Sequence, residues 1–388
     1  MRDGFRIVDA DRHVVEPFGL WRDHLDPEFR ARAPRPVPFH TICEDPPPAS
    51  LSAADARPML VVAGKPVYRA MSRRAWTLIV DAALSRAFPG PLDRPETHLA
   101  DMDAEGIDVA VLYPTYALLI EGVDTLDPPL AAALARAYNR WLGDFVACAP
   151  RRLVGAGLVS VHHPDAMAAE ASRAARQGFR AVVIRPNPAG GRRLSDAAYA
   201  RFWSTCEELG MPVVIHEGSH AHLPSAGAER FTSRFGQHAC SHPMEQMIAL
   251  LDLIEGGVLE RHRRLRVALL EAGCGWVPYW LWRLDEEYAH VRSEVEERVR
   301  RAPSSYFREQ AWVAAEPDEP YLPGVLHFVG ADRILFGTDF PHVDHDEGLP
   351  ARALARRASL SDDVLRRYLS DNAACLFGLE SAGVSSST

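Results

Sequence analysis

Two apolar runs at opposite ends of the chain stop on polar residues of complementary kinds. Ile7-Val8-Asp9-Ala10-Asp11-Arg12-His13 leads into an Asp-x-His, and Ile334-Leu335-Phe336-Gly337-Thr338-Asp339 leads into a single Asp. Residues two apart on a strand face the same side, so Asp11 and His13 can reach one ion together. If the first and last strands of a closed barrel lie side by side, Asp339 converges on the same point, as in a mononuclear metal site of a TIM-like barrel.

The rest of the chain follows the pattern this requires. Short runs rich in Val, Ile and Leu alternate with longer helical patterns, the sequence form of repeated βα units. Eight strands are expected, at Arg6–Asp11, Asp108–Tyr113, Val154–Ser160, Ala181–Arg185, Pro212–His216, Arg266–Glu271, Gln310–Ala315 and Arg333–Asp339. Pro164–Gly178 and Ser195–Leu209 read as two of the intervening helices. The expectation is an α/β fold, one (β/α)8 TIM barrel over residues 1–380 with a frayed tail at 381–388. A chain of 388 residues accommodates this, because such barrels take about 250 residues and often carry insertions.

Pro27–Thr97 breaks the alternation. It is long and proline-rich, with Val61–Val67 as a candidate hairpin and Ala75–Phe88 as a candidate helix. It is read as an insertion after the first strand that caps the barrel mouth or meets a second subunit. A second elaboration, Gly275–Tyr306, holds Trp276-Val277-Pro278-Tyr279-Trp280-Leu281-Trp282 and then a charged helix over Asp285–Arg301.

Charge and cysteine usage exclude several functions. A formal net charge of -9 argues against a general nucleic-acid surface, and the basic cluster Arg261–Arg266 reads as a solvated helix end. Cys43, Cys148, Cys206, Cys240, Cys274 and Cys375 are scattered without Cys-x-x-Cys, which suits reduced thiols in the cytoplasm. No apolar run reaches about 18 residues and no leader pattern precedes the first strand, so neither a membrane span nor export is expected. The chain contains no Gly-x-Ser-x-Gly, Walker loop or dinucleotide fingerprint.

A barrel places its active site at the C-terminal ends of its strands. The polar residues there are Asp11, His13, Arg185, His216, Glu271, Glu316 and Asp339. Asp11, His13, His216 and Asp339 form a candidate set for one divalent ion, zinc first, with manganese or iron also suited. Arg185 can hold a substrate carboxylate by two parallel hydrogen bonds, or form a salt bridge to Glu16 or Glu316. Glu16, Glu316, Trp276 and His342 are further candidates for contact with substrate.

At these residues the sequence resembles the metal-dependent amidohydrolase superfamily, in the branch that includes aminocarboxymuconate semialdehyde decarboxylase and γ-resorcylate decarboxylase. The resemblance rests on Asp9-Ala-Asp11-Arg-His13-Val-Val-Glu16-Pro17, Gly178–Asn187, His242-Pro243, Gly257–Glu260, Leu270-Glu271-Ala272-Gly273, Gly337-Thr338-Asp339-Phe340-Pro341-His342 and Leu369–Ala373. It covers nearly the whole chain outside Pro27–Thr97. Carried over residue by residue, it implies Asp11 and His13 on the first strand, His216 on the fifth and Asp339 on the eighth as the metal set. Two positions depart from the pattern: Asp11 stands where many relatives have His, and Glu271 stands where the decarboxylases have a strand-six histidine that handles the proton. That proton then falls to Asp339, Glu271 or His242, the last read as opening a helix after a loop with His238, Cys240 and Ser241.

The resemblance implies a metal-dependent enzyme acting on a small acidic or aromatic molecule, by non-oxidative decarboxylation first. Hydrolysis of a C–N, C–O or C–C bond by metal-activated water uses the same site. A metal-poor barrel that binds, or performs acid–base cyclisation or dehydration, stays open because of Asp11 and Glu271. A cytoplasmic homodimer is expected, with no nucleic-acid or membrane partner.

Overall fold

The computed structural model describes residues 1–46, 48–69, 72–218, 221–343 and 346–380. Eight parallel strands form one sheet: β1 (Val8–Val14), β2 (Val109–Pro114), β3 (Leu153–Leu158), β4 (Ala181–Ile184), β5 (Val213–His216), β6 (Val267–Leu270), β7 (Ala311–Ala315) and β8 (Ile334–Phe336). Neighbours in sequence are neighbours in the sheet, and every residue of these strands is buried. Helices such as Pro128–Val146, Pro164–Arg176 and Ala200–Leu209 cover the outside. This is the (β/α)8 architecture, and each of the eight expected strands is present.

The barrel closes between its ends. Thr338 and Asp339 donate backbone hydrogen bonds to the Asp11 carbonyl at 3.2 and 2.8 Å, and His13 N–H donates to Phe340 O at 2.6 Å. The Asp9 carboxylate adds two contacts across the seam, from Thr338 N–H at 3.0 Å and Thr338 Oγ1 at 2.6 Å. β1 carries a bulge between Asp9 and Arg12, where its register against β2 shifts. Beyond it Arg12 turns away from His13 to pair with Asp101 at 2.5 Å.

The segment 27–97 holds a small antiparallel sheet (Arg35–Pro38, Pro58–Val62, Lys65–Pro66) and the helix Arg73–Ser85. Its hairpin turns at Ala63 and Gly64, with φ of 51° and 79°, the left-handed pair that a two-residue turn of this twist requires. Trp76 stacks on Phe39 at 5.0 Å and donates its indole N–H to Ala54 O at 2.8 Å. Lys65 to Asp124 (2.6 Å) and His222 to Pro66 O (2.7 Å) fasten this unit to the barrel.

Two expectations are corrected. The charged helix does not start at Asp285 but runs over Val277–Val291, with Pro278 in its first turn, where a missing N–H costs nothing. His242 does not open a helix: it lies inside Arg234–Glu255, which starts at Ser233 and carries Pro243 in its interior. No described helix is long and apolar enough to cross a membrane. The expected frayed tail, 381–388, lies outside the described residues.

The seam depends on a residue with no side chain at 337. A Cβ there would stand 2.6 Å from Asp11 Cβ. Gly337→Ala should therefore lower stability by about 1–3 kcal/mol and weaken divalent-ion binding as β8 is pushed from β1. Denaturant midpoints and ion titration of the two proteins check both parts.

Candidate active site

The strand ends bring four side chains into one buried cluster. His13 and His216 place their Nε2 atoms 3.0 Å apart. Asp11 Oδ1 lies 3.3 Å from His216 Nε2 and 3.7 Å from His13 Nε2, and Asp339 Oδ1 lies 3.4 Å from His13 Nε2. The opposite ring nitrogens settle which atoms carry protons. His13 Nδ1 faces Pro114 O at 2.9 Å and His216 Nδ1 faces Glu217 O at 2.8 Å. A carbonyl only accepts, so each Nδ1 carries the hydrogen and, in the neutral ring, each Nε2 presents a lone pair.

The centre therefore holds two imidazole lone pairs and two carboxylates with no hydrogen between them, an arrangement that a cation relieves. Asp339 Oδ1 is buried without an aligned hydrogen bond, although His342 Nδ1 stands 2.7 Å away. Burial, reinforced by His342, pulls the His13 pKa down to about 4, which keeps its ring neutral and able to bind a metal. The donor set fits a divalent ion, and Asp11–His13–His216 and His13–Asp339–His342 form two overlapping three-residue groups.

Glu271 and Asp339 end β6 and β8 with φ of 57° and 54°, a left-handed conformation rare outside glycine and common at functional sites. Glu271 links the cluster to the helix Arg234–Glu255: Oε2 lies 3.2 Å from His216 Nδ1 and Oε1 lies 3.3 Å from His242 Nε2. A carboxylate behind a ligating histidine orients the ring and raises its basicity. Burial, with His238 and His216 adding to it, keeps the His242 pKa well below the usual imidazole value, so its ring is neutral. Gln246 donates to Ile215 O and Leu270 O, tying this helix to β5 and β6.

Two cavities meet at the cluster. The larger, of about 580 Å³, is bounded by His13, His216, Glu271 and His342 below and by Tyr68, Trp76, Ile79, Val80 and Phe88 of segment 27–97 above. The smaller, of about 350 Å³, lies against Asp11, His242, Glu271, Glu316 and Asp339.

Several expected contacts fall elsewhere. Arg185 is fully buried, and its guanidinium donates to Asn187 Oδ1 (3.1 Å), Leu118 O (3.2 Å), Glu217 Oε1 (3.1 Å) and Gly218 O (2.8 Å). Four of its five N–H donors are taken by the protein, which leaves no pair of donors for a substrate carboxylate, and the salt-bridge partner is Glu217 rather than Glu16 or Glu316. Glu16 reaches the cavity wall, but its carboxylate accepts from the backbone N–H groups of Thr115, Tyr116 and Ala117 at 3.3, 2.9 and 2.8 Å. Trp276 closes its own helix start by donating to Gly273 O at 2.9 Å and lies outside both cavity walls. Glu316 faces the smaller cavity, while His342 packs against His13 with ring centroids 4.1 Å apart and lies 3.0 Å from Thr115 Oγ1.

Sequence reasoning missed Arg234 and His238 as wall residues. Their signal is the spacing Arg234, His238, His242, Gln246, four apart and hence along one side of a helix.

A closed parallel barrel with two histidines and two carboxylates gathered at its strand ends defines the class of metal-site TIM-barrel enzymes. Within that class the chain belongs to the amidohydrolase family, whose profile matches residues 8–379. It is similar to the γ-resorcylate decarboxylase of Rhizobium sp. (strain MTP-10005), 27% identical over 266 residues that cover 66% of this chain and 79% of that protein. It is also similar to the 2-amino-3-carboxymuconate-6-semialdehyde decarboxylase of Dictyostelium discoideum, 22% identical over 308 residues, covering 78% and 82%. Among solved structures, an amidohydrolase from Mycobacterium avium subsp. paratuberculosis K-10 superposes with a TM-score of 0.74 at 21% identity, covering 97% of this chain and 100% of the other. The 5-carboxyvanillate decarboxylase of Novosphingobium aromaticivorans, with bound manganese and 3-methoxy-4-hydroxy-5-nitrobenzoic acid, superposes at 0.70 with 21% identity, covering 97% and 98%.

Two outcomes follow from the geometry. A divalent ion at about 100-fold its Kd should raise the unfolding midpoint of chelator-treated protein by about 3 °C, and His216→Ala should abolish the rise in a thermal melt. Arg185→Leu leaves Glu217 buried without its cation and should cost about 3–5 kcal/mol of stability, read by chemical denaturation; tolerance of the change would return Arg185 to the candidates for ligand contact.

Proposed function

We propose that the protein is a metal-dependent decarboxylase of an aromatic carboxylic acid, with Asp11, His13, His216 and Asp339 holding one divalent ion. The observation that carries this reading is the pair of opposed Nε2 lone pairs, 3.0 Å apart beside two carboxylates. The reaction is taken from the relatives, which are decarboxylases of γ-resorcylate and of an aminocarboxymuconate semialdehyde. Manganese is placed ahead of zinc, because two carboxylates are hard donors and manganese is bound in the 5-carboxyvanillate and dihydroxybenzoic acid decarboxylases.

When bound, the ion supplies a positive anchor for the substrate's oxygen atoms. The protein's own residues divide the remaining work. His342, itself held by Thr115, braces Asp339 from one side, and Glu271 braces His216 from the other. In decarboxylation the ring-to-carboxylate bond breaks, the electron pair stays on the ring carbon, and that carbon takes a proton as carbon dioxide leaves. His242, a neutral ring in contact with Glu271, is the candidate to pass that proton in place of the strand-six histidine. Trp76, Val80 and Phe88 keep water from the carbon while it carries the pair.

The helix Arg234–Glu255 and its neighbour Val277–Val291 expose Met244, Ile248, Tyr279 and Trp282, which supports the homodimer expectation. The functional reading is tested by metal analysis of the purified protein and by carbon dioxide release from hydroxybenzoates. His242→Ala should lower kcat about 100-fold or more while KM changes little. Asp339→Asn should lose both metal and turnover. Full turnover in the His242 variant removes it from the proton path and leaves Glu271 to be tested.

A further inference from the structure

The larger cavity has an arginine on its wall that the protein itself does not satisfy. Arg234 lies in the first turn of the helix Arg234–Glu255 and shares the wall with His238, Glu271 and His216. Its Nε is buried and lacks a hydrogen-bond partner, and among the described residues the side chain makes no ion pair. The half-buried guanidinium thus lines the cavity with no counter-charge among the described residues, and a ligand anion is the natural partner. Arg185, in contrast, is fully buried, paired with Glu217, and gives four of its five donors to the protein. Arg57, the other arginine on this wall, stands exposed, where water screens it.

Much of the remaining wall is apolar. Phe18, Trp76, Ile79, Val80, Phe88 and Leu119 line it, and most of them belong to the segment inserted after β1. The space of about 580 Å³ corresponds to about twenty waters at roughly 30 Å³ each. A one-ring hydroxybenzoate has about ten non-hydrogen atoms, takes up roughly 160 Å³ and would fill about a quarter of it.

We infer that Arg234 recognises the anionic group of a substrate whose apolar body, larger than a single ring, occupies the space under the segment 27–97. The inference rests on the reading that this cavity is the substrate site of the decarboxylase. It adds a positioning residue and a size class, namely fused-ring or alkyl-extended hydroxyarene carboxylic acids.

Binding separates the two claims. Calorimetry on the metal-loaded protein uses 1-hydroxy-2-naphthoate, salicylate and neutral 1-naphthol as probes, with carbon dioxide release measured in parallel. The naphthoate should bind about tenfold more tightly than salicylate. Arg234→Met should weaken naphthoate about tenfold or more and leave 1-naphthol within about twofold, at an unchanged melting temperature and metal content. Arg234→Lys, which keeps the charge without the fork, should fall between. Arg234-dependent binding without carbon dioxide release would overturn the decarboxylase reading and keep this inference. Turnover with equal KM in wild type and Arg234→Met would do the reverse. The inference also fails if salicylate binds as well as the naphthoate, if no acid binds, or if Arg57→Met rather than Arg234→Met removes the preference for the acid.

Discussion

The carboxylate of Asp9 joins the first strand of the barrel to the last. It receives Thr338 from β8 through both backbone and hydroxyl, and Asp11 N–H of its own strand at 3.2 Å. It is fully buried, and burial pushes its pKa up to about 7 in spite of Arg12 at 3.6 Å. A buried carboxylate is retained where its hydrogen bonds fix something that an apolar pair would leave loose. Here it fixes the register of the seam. Asp11 and His13 lie two and four residues beyond Asp9, and Asp339 follows Thr338 directly. The distances within the cluster thus derive from one side chain that does not itself belong to it.

From the seam the order propagates in two directions. Toward β5, His216 is held by the Glu217 carbonyl and Glu271, and Glu217 is in turn held by Arg185. Toward the mouth, His342 packs against His13 and accepts Arg86 of the inserted segment at its carbonyl. Buried ion pairs and carbonyl contacts surround the cluster on both sides, so few of its atoms can turn without breaking a buried bond.

The barrel was legible because its strands are near-continuous apolar runs with a polar residue at the end, a pattern parallel strands impose when both faces are covered. The convergence of Asp11, His13, His216 and Asp339 is readable for the same reason, since strand order and strand ends together specify it. What was not legible turns on tertiary partners. Arg185 reads as an anchor until Glu217, 32 residues later, is seen against it. Pro243 reads as a helix start because proline favours the first turn, which hid the turns before it and with them Arg234 and His238. Trp276 reads as pocket aromatic although its indole N–H is taken by a carbonyl three residues back. Within the segment 27–97, the hairpin at Ala63-Gly64 is local and visible, whereas its third strand, Arg35–Pro38, comes from more than twenty residues away.

The position of that segment in the chain has an evolutionary consequence. The four polar groups of the cluster come from β1, β5 and β8 and the residues that follow them, while most of the apolar roof is one contiguous stretch between β1 and the helix Pro95–Glu105. A single recombination or a short insertion in this stretch changes the volume and shape offered to a ligand without altering any strand that sets the cluster. Selection can therefore act on what is accommodated and on how it is transformed as two separate heritable traits.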